Sequence, residues 1–468
     1  MRGRGGPQVK AAARPGIVRG KTRRSRHLRA GTRADVFSRG YSAGYHAGYP
    51  AGLEQGRAAG LQSYRQPWEG CSIIIPTYNQ AGLLKACIES IRQYTPEPHE
   101  IIVIDNASTD GTAEYLQSMR GQLRFRINAE NIGFAGGVNQ GMRMARGSTL
   151  LLLNNDTVVT QGWLGNLLRC LHSDERIGLV GPMTNYISGE QLQPVSYASM
   201  KEMHRFAREF NVPDASRWRP TTRITGFCLL LRRELFDRLG YFDEGFEKGN
   251  CEDDDFCLRV RLLGHELVIA GDTFIHHVGS VSVKALGTEM GEVYGRNQDY
   301  YGRKWGDAQA LPGETANVSE GFLDTFRLYP REALVQSYTG RLFWLRGGVR
   351  HPVDGPGVPG VPGLPAVRLS HIELRHLPVG EAVAAAEIQS AWSESDAGLP
   401  PEGALLRGED DHLYLHEQGT LRRFTSPHAA EVWGAGRPGP LPLDPQLASR
   451  LPRGLPLIAP VTLKADNL

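Results

Sequence analysis

From Cys71 onward the chain alternates short runs of Ile, Val and Leu with amphipathic stretches. Cys71-Ser-Ile-Ile-Ile-Pro76 and Glu100-Ile-Ile-Val-Ile-Asp105 are too uniformly apolar to leave one face in water, the pattern of strands covered on both sides in a parallel sheet. Residues 81–94 and 111–119 carry helical periodicity, giving a β-α-β-α opening. Thr149-Leu-Leu-Leu-Leu-Asn154-Asn155-Asp156 predicts a further strand, followed by a helix over 162–173. In an open α/β sheet ligands bind beyond the carboxyl ends of the strands. The polar clusters that close these three runs are therefore expected to converge.

Outside this region the texture changes. Residues 1–40 read as a basic, disordered arm, and 41–69 as a linker in which Tyr41, Tyr45 and Tyr49 recur every fourth position among glycines that oppose a stable helix. The α/β region is expected to span 71–305. Beyond it the Pro/Gly-rich run from Pro352 to Pro365 forbids regular structure locally. Leu342-Phe343, six positions before Gly348, matches Leu413-Tyr414, six before Gly419, and Leu377-Pro378-Val379-Gly380 matches Leu451-Pro452-Arg453-Gly454. A period of about 70 residues follows, predicting two small β-rich modules over 330–385 and 400–460 that serve binding or packing.

Bulk composition narrows the function classes. At 468 residues, with 40% hydrophobic and 22% charged positions, the chain has room for a catalytic domain with appendages. The net charge of +3 conceals an asymmetry. Residues 1–34 hold eleven Lys or Arg and no acid, so +3 less 11 leaves the remainder at −8. The arm reads first as a solvated tail and second as a peripheral contact for an anionic membrane, with no nucleic-acid partner expected. No apolar stretch approaches the length of a membrane span and no secretory segment is apparent, so a cytoplasmic protein is expected. The six cysteines lack CxxC spacing and are expected as reduced, buried thiols.

The chemistry-bearing residues cluster at the predicted strand ends. Pro76-Thr77-Tyr78-Asn79 offers a ring to stack on a nucleobase, although the tetrapeptide alone is also a plausible turn. Asp105 offers a carboxylate to a base or ribose, and Asp110 and Thr112 suit a turn and a helix cap. The stretch Asn131-Ile-Gly133-Phe-Ala-Gly136-Gly137-Val-Asn139 lets backbone approach a phosphate or ribose, without the GxGxxG spacing of a dinucleotide site. Asn154-Asn155-Asp156 ends a strand with an oxygen donor suited to a hard cation, or simply with a turn. Glu252-Asp253-Asp254-Asp255 opens an amphipathic helix where the helix dipole favours ionised carboxylates, one of which can act as a general base. His276-His277-Val278-Gly279-Ser280 closes a further apolar run with two imidazoles able to bind metal or phosphate.

In this order, over residues 71–285, the motifs resemble the family-two glycosyltransferases with the GT-A fold, and look closest to their rhamnosyltransferase-like branch. The resemblance implies an α/β domain with a Rossmann-like, mostly parallel sheet and flanking helices, the duplicated β-rich modules following it. It implies Pro76, Tyr78 and Asp105 as nucleoside contacts, Asn131, Gly137 and Asn139 near the ribose and diphosphate, and Asn154-Asn155-Asp156 in place of the DxD metal motif, its first acid replaced by Asn154. Asp156 and His277, with His276 as alternate, would hold a divalent cation, Mg or Mn. Asp253, within the Glu252-Asp253 pair and with Asp255 as understudy, would be the base, and Gly226 and Phe227 would flank the acceptor beside a mobile loop over 184–222. The implied activity is inverting transfer from a nucleotide-sugar, dTDP-rhamnose first and UDP-hexose next, to a glycan or a lipid- or protein-linked saccharide of the cell envelope. Two alternatives stay open: a non-catalytic glycan- or surface-binding scaffold on a transferase fold, and a nucleotidyltransferase.

Overall fold

The computed structural model describes residues 68–279, 289–354, 365–390, 400–435 and 437–465. The basic arm, the Tyr/Gly repeat up to residue 67, Ser280 and most of the Pro/Gly-rich run lie outside the described residues. The elements of the first part are β1 (Trp68–Thr77), α1 (Ala81–Tyr94), β2 (His99–Asp105), α2 (Thr112–Ser118), β3 (Arg124–Ile127), α3 (Gly133–Met144), β4 (Gly147–Leu153), β5 (Thr157–Val158), α4 (Trp163–His172), β6 (Ile177–Thr184), α5 (Met200–Phe210), β7 (Trp218–Thr221), β8 (Cys228–Arg232), α6 (Arg233–Leu239), α7 (Glu252–Leu262), β9 (Glu266–His277) and α8 (Glu289–Trp305).

The strands form one nine-stranded sheet in the order β3-β2-β1-β4-β8-β6-β9-β5, with β7 also on β9. β1 pairs in parallel with β2 and β4, and β2 with β3. β8 runs antiparallel between β4 and β6, which the apolar run alone does not announce. Alternate side chains of each strand enter different cores. Ile74, Ile102, Ile104, Leu150 and Leu152 face one cluster with α3 and α7, whereas Ile73, Ile75, Ile101, Val103 and Leu151 face another with α1 and α4. Burial on both faces is the reason these strands read as continuous apolar runs. The 184–222 region is more regular than expected for a loop: α5 is capped by Ser199, whose hydroxyl accepts the Glu202 N–H, and it buries Met203 and Ala207. All six cysteines are buried free thiols. Among the described residues no helix is long and apolar enough to cross a membrane.

The chain continues through α9 (Leu311–Val318), β10 (Ala333–Gln336), β11 (Leu342–Arg346), β12 (Val349–Asp354), β13 (Val367–Arg368), α10 (His371–Arg375), β14 (Val383–Ala384), α11 (Ala385–Ser390), β15 (Leu405–Arg407), β16 (Leu413–Glu417), β17 (Thr420–Arg423), α12 (Pro427–Gly434), β18 (Leu441–Pro442) and α13 (Pro445–Arg450). The two β-rich units repeat one pairing scheme. In the first, β10-β11-β12 are antiparallel and β10 takes β13 in parallel; in the second, β15-β16-β17 are antiparallel and β15 takes β18 in parallel. The matching tetrapeptides do the same job in each. Arg350 N bonds Pro378 O and Gly380 N bonds Arg350 O, just as Leu421 N bonds Pro452 O and Gly454 N bonds Leu421 O.

Candidate active site

The ends of β1, β2 and β4 do converge. Thr77 pairs with Asp105 in register, and Asn155 Nδ2 donates to Thr77 Oγ1 at 2.7 Å. Asp105 is fully buried; its Oδ1 receives Ser108 N and Oγ at 3.0 and 2.5 Å, while Oδ2 has no partner among the described residues. A buried carboxylate oxygen left without a donor is costly, and an imide N–H or a ribose hydroxyl would satisfy it. Tyr78, 42% exposed, follows at the mouth, and Pro76 is buried below it. Asp110 receives both Thr112 Oγ1 at 2.6 Å and Ala81 N at 3.0 Å, so it caps α1 as well as its own turn.

The glycine-rich segment is placed differently from the expectation. The Asn139 amide is fully occupied inside the fold: Nδ2 donates to Phe242 O and Glu244 Oε1, both at 2.9 Å, and Oδ1 receives Phe242 N at 2.9 Å. It is a buried strut to the 242–244 segment. A Cβ on Gly137 would sit 3.0 Å from Asn106 Nδ2, so that glycine lets α3 close on Asn106, which donates to Gly133 O at 2.9 Å. Asn131 is exposed and its Oδ1 receives Gly133 N at 3.0 Å at the start of α3.

A second group forms where β4 gives way to β5 and meets the end of β9. Asp156 and His277 are both buried, with Asp156 Oδ1 3.1 Å from His277 Nε2. His277 Nδ1 lies 2.8 Å from the Tyr186 carbonyl, which can only accept, so Nδ1 carries a proton. In the neutral ring Nε2 therefore turns a lone pair towards the Asp156 carboxylate, and two acceptors face each other. That donor set fits a hard cation. The Phe227 ring stacks on the imidazole, centroids 5.4 Å apart and 14° from parallel. His276 instead faces Tyr197, whose hydroxyl lies 2.7 Å from its Nδ1.

The acids of α7 separate by helical rotation. Asp253 Oδ2 receives Gly226 N at 2.9 Å, and Oδ1 receives Asp254 N at 3.0 Å. Burial and then the neighbouring Asp254 charge raise the Asp253 pKa, with Arg223 opposing. Glu252 is buried with Oε2 unpartnered among the described residues, and burial holds its carboxyl well above the usual range. Asp254 accepts from Arg223 Nε at 2.5 Å. Asp255 points into the fold, where it accepts from Lys304 Nζ at 2.6 Å, Trp305 Nε1 at 2.9 Å and Arg259 Nε at 2.8 Å. Burial alone would raise its pKa, but Lys304 and Arg259 outweigh it and the pKa is lowered. Asp255 is thus a fully buried anion whose three donors all come from inside the fold. The segment Gly226-Phe227 joins the two groups: Gly226 N contacts the Asp253 carboxylate, Phe227 stacks on His277, and Phe227 O receives Asn154 N at 2.8 Å.

Residues 72–240 match the family model described as "Glycosyl transferase family 2". Over these residues the chain is similar to the family 2 glycosyl transferases. Its sheet, mostly parallel with helices on both faces, is the GT-A arrangement. The chain is 25% identical over 215 residues to the glycosyltransferase GlyG of Streptococcus pneumoniae serotype 4, an alignment covering 43% of this chain and 68% of GlyG. It is 30% identical over 227 residues to the O-antigen biosynthesis protein RfbC of Myxococcus xanthus, covering 46% of this chain and 18% of RfbC. Among solved structures it is similar to GalNAc-T7 with UDP, GalNAc and Mn2+, at a TM-score of 0.40 and 17% identity, covering 54% of this chain and 52% of that one. The chain therefore spans only part of the length of these proteins.

Two residues of the transferase domain escape a reading by motif. Gln191 fastens the segment leading into Gly226, its Oε1 receiving Thr225 N at 2.8 Å and its Nε2 donating to Pro182 O at 2.9 Å. Arg223 sits beside the α7 acids, and their charges outweigh burial to raise its own pKa. Neither stands in a recognisable pattern. Both owe their place to long-range contacts.

Proposed function

We propose that this chain is an inverting glycosyltransferase that moves a sugar from a nucleotide-sugar, dTDP-rhamnose before UDP-hexoses, to a hydroxyl of a glycan or related saccharide acceptor in envelope or polysaccharide synthesis. One observation carries the reading: Gly226-Phe227 links a buried carboxylate, Asp253, to the Asp156–His277 pair, at the same sheet end as the unpartnered oxygen of Asp105. Asp105 and Tyr78 hold the nucleoside. Asp253, its proton affinity raised by burial, takes the acceptor hydroxyl proton as that oxygen attacks the anomeric carbon. The bond from that carbon to the diphosphate breaks in the same displacement, and the configuration inverts. Asp156 and His277 would hold a divalent cation, Mg or Mn, which supplies charge to offset that of the departing diphosphate. Among the described residues no three His, Cys, Asp or Glu side chains gather as a metal cage.

The test is a panel of nucleotide-sugars, with and without Mn and Mg, read by thermal stabilisation and by release of nucleoside diphosphate. Asp253→Asn is expected to bind donor normally and to lose about a thousandfold or more in turnover, the general-base contribution together with its positioning. Asp156→Ala is expected to lose the cation-dependent stabilisation by donor. Wild-type turnover by Asp253→Asn would remove it from the base role, and an unchanged metal response of Asp156→Ala would defeat the cation site.

A further inference from the structure

We infer that Asn297, on α8, is a positioning residue that fixes the loop from which Asp253 projects; the inference rests on the reading of Asp253 as the base. Four consecutive residues before α7 adopt positive φ: Lys248 at 50°, Gly249 at 116°, Asn250 at 80° and Cys251 at 69°. Three of them carry side chains, for which the left-handed region is disfavoured, so the segment keeps its shape only where surrounding contacts over-determine it.

Asn297 supplies those contacts. It is 1% exposed, and its Nδ2 lies 2.9 Å from Glu247 O, 2.9 Å from Gly249 O and 3.0 Å from Asn250 O, while Oδ1 receives Glu247 N at 2.9 Å. One amide thus engages four backbone groups, its two N–H shared among three carbonyls, in a turn whose carbonyls have no strand or helix to meet. The next residue, Cys251, is the N-cap of α7, and its carbonyl receives Asp255 N at 3.0 Å. Asp253 follows two positions later. The same helix also grips α7 from behind: two turns beyond Asn297, Lys304 and Trp305 donate to Asp255. Asn297 and Lys304 are seven residues apart and lie on one face of α8. The helix that follows the last strand of the catalytic sheet therefore locates both the loop and the first turn of α7, and Asn297 is the side chain through which it sets the approach of Asp253.

Two variants of the full chain test this. Asn297→Ala removes all four bonds. Asn297→Asp keeps the shape and the oxygen that receives Glu247 N–H but sets a carboxylate oxygen against three carbonyls, and it carries the same comparison should Asn297→Ala not fold. Hydrogen exchange of the 247–254 amides, measured without any substrate, is expected to accelerate at least tenfold; unchanged exchange overturns the staple. Release of nucleoside diphosphate from dTDP-rhamnose and from UDP-glucose is expected to fall about a hundredfold in kcat, the cost of misplacing a reacting group by about an ångström, with donor KM unchanged. In an Asp253→Asn background the same substitution is expected to cost nothing further, and a full second loss overturns action through Asp253. If Asp253→Asn alone turns over at the wild-type rate, the base reading falls, whereas the exchange data still decide the staple by themselves.

Discussion

Glu252 and Asp253 are neighbours in sequence with different proton affinities, and the difference has a cause in each residue's surroundings. Asp253 receives two backbone N–H groups and has Arg223 nearby, whereas Glu252 Oε2 has no donor among the described residues. Burial, then the Asp253 charge, pushes Glu252 well above its ordinary 4.5, so the folded chain holds a proton there that the unfolded chain releases. Stability from that proton is complete below the unfolded pKa and is lost as pH rises towards the folded one. Glutamine cannot titrate. The melting-temperature advantage of Glu252→Gln over wild type is therefore expected to be larger at pH 8 than at pH 5, and an equal difference at both would sink the protonated assignment. The four-acid run was legible in the sequence as the opening turn of a helix. Which acid meets Gly226, Arg223 or Lys304 was not, because rotation of about 100° per residue assigns the faces and only tertiary packing says what each face meets. Asn139 shows the same limit: its amide beside glycines reads as a ligand contact, yet its partners Phe242 and Glu244 lie 103 and 105 residues away.

Among the elements, β1, β2 and β4 were readable because both faces of each are buried, and α1 because Leu84, Cys87, Ile88 and Ile91 recur on one face. The direction of β8 was not, since Cys228–Arg232 is as apolar as its parallel neighbours and orientation leaves no mark on composition. α5 was legible yet read as loop: Met203, Phe206, Ala207 and Phe210 recur at helical spacing and pack together, although only Met203 and Ala207 are buried. Its start was also written in Ser199-Met-Lys-Glu202, the capping-box spacing: Ser199 Oγ receives Glu202 N at 3.3 Å, while Glu202 Oε2 receives the N–H one residue before the cap, Ala198 N, at 2.9 Å. α8 meets α7 through Lys304 and Trp305, which both donate to Asp255. Lys304 Nζ is fully buried between Asp243 Oδ2 at 2.5 Å and Asp255 Oδ1 at 2.6 Å. Lys304→Met leaves two buried carboxylates short of a counter-charge, for which about 3–5 kcal/mol is the usual cost. A urea titration followed by tryptophan fluorescence is expected to show that loss; a change below about 1 kcal/mol, the usual worth of an exposed pair, would mean that water or Arg259 already satisfies the pair.

For the whole molecule, the duplicated β-rich units are tied to the transferase domain through a shared interior. The cluster that receives Ile74 and Leu152 from the catalytic sheet also contains Phe256 and Val260 of α7, Val335 and Phe343 of the first unit, and Leu415, Phe424 and Leu457 of the second. The last described segment closes this arrangement. Ile458 N bonds Leu328 O, Glu244 N bonds Thr462 O, and the carboxylates of Asp243 and Glu244 receive Thr462 N at 3.0 Å and Lys464 N at 2.6 Å. Asp243 and Glu244 are also the partners of Lys304 and Asn139, so the same two acids join the tail, α8 and α3. Independent domains meet across an interface that can part while each core survives, whereas here parting would open one core on both sides. The described part of the chain is therefore expected to unfold in one step. Scanning calorimetry should give a single transition, and Glu244→Ala, which deprives Asn139, Lys464 and Ala465 of their common acceptor, should lower it as a whole. Two transitions in the wild type, or a Glu244→Ala scan in which only part of the heat moves to lower temperature, would show that the β-rich units are separable appendages rather than part of the frame that holds α7 in place.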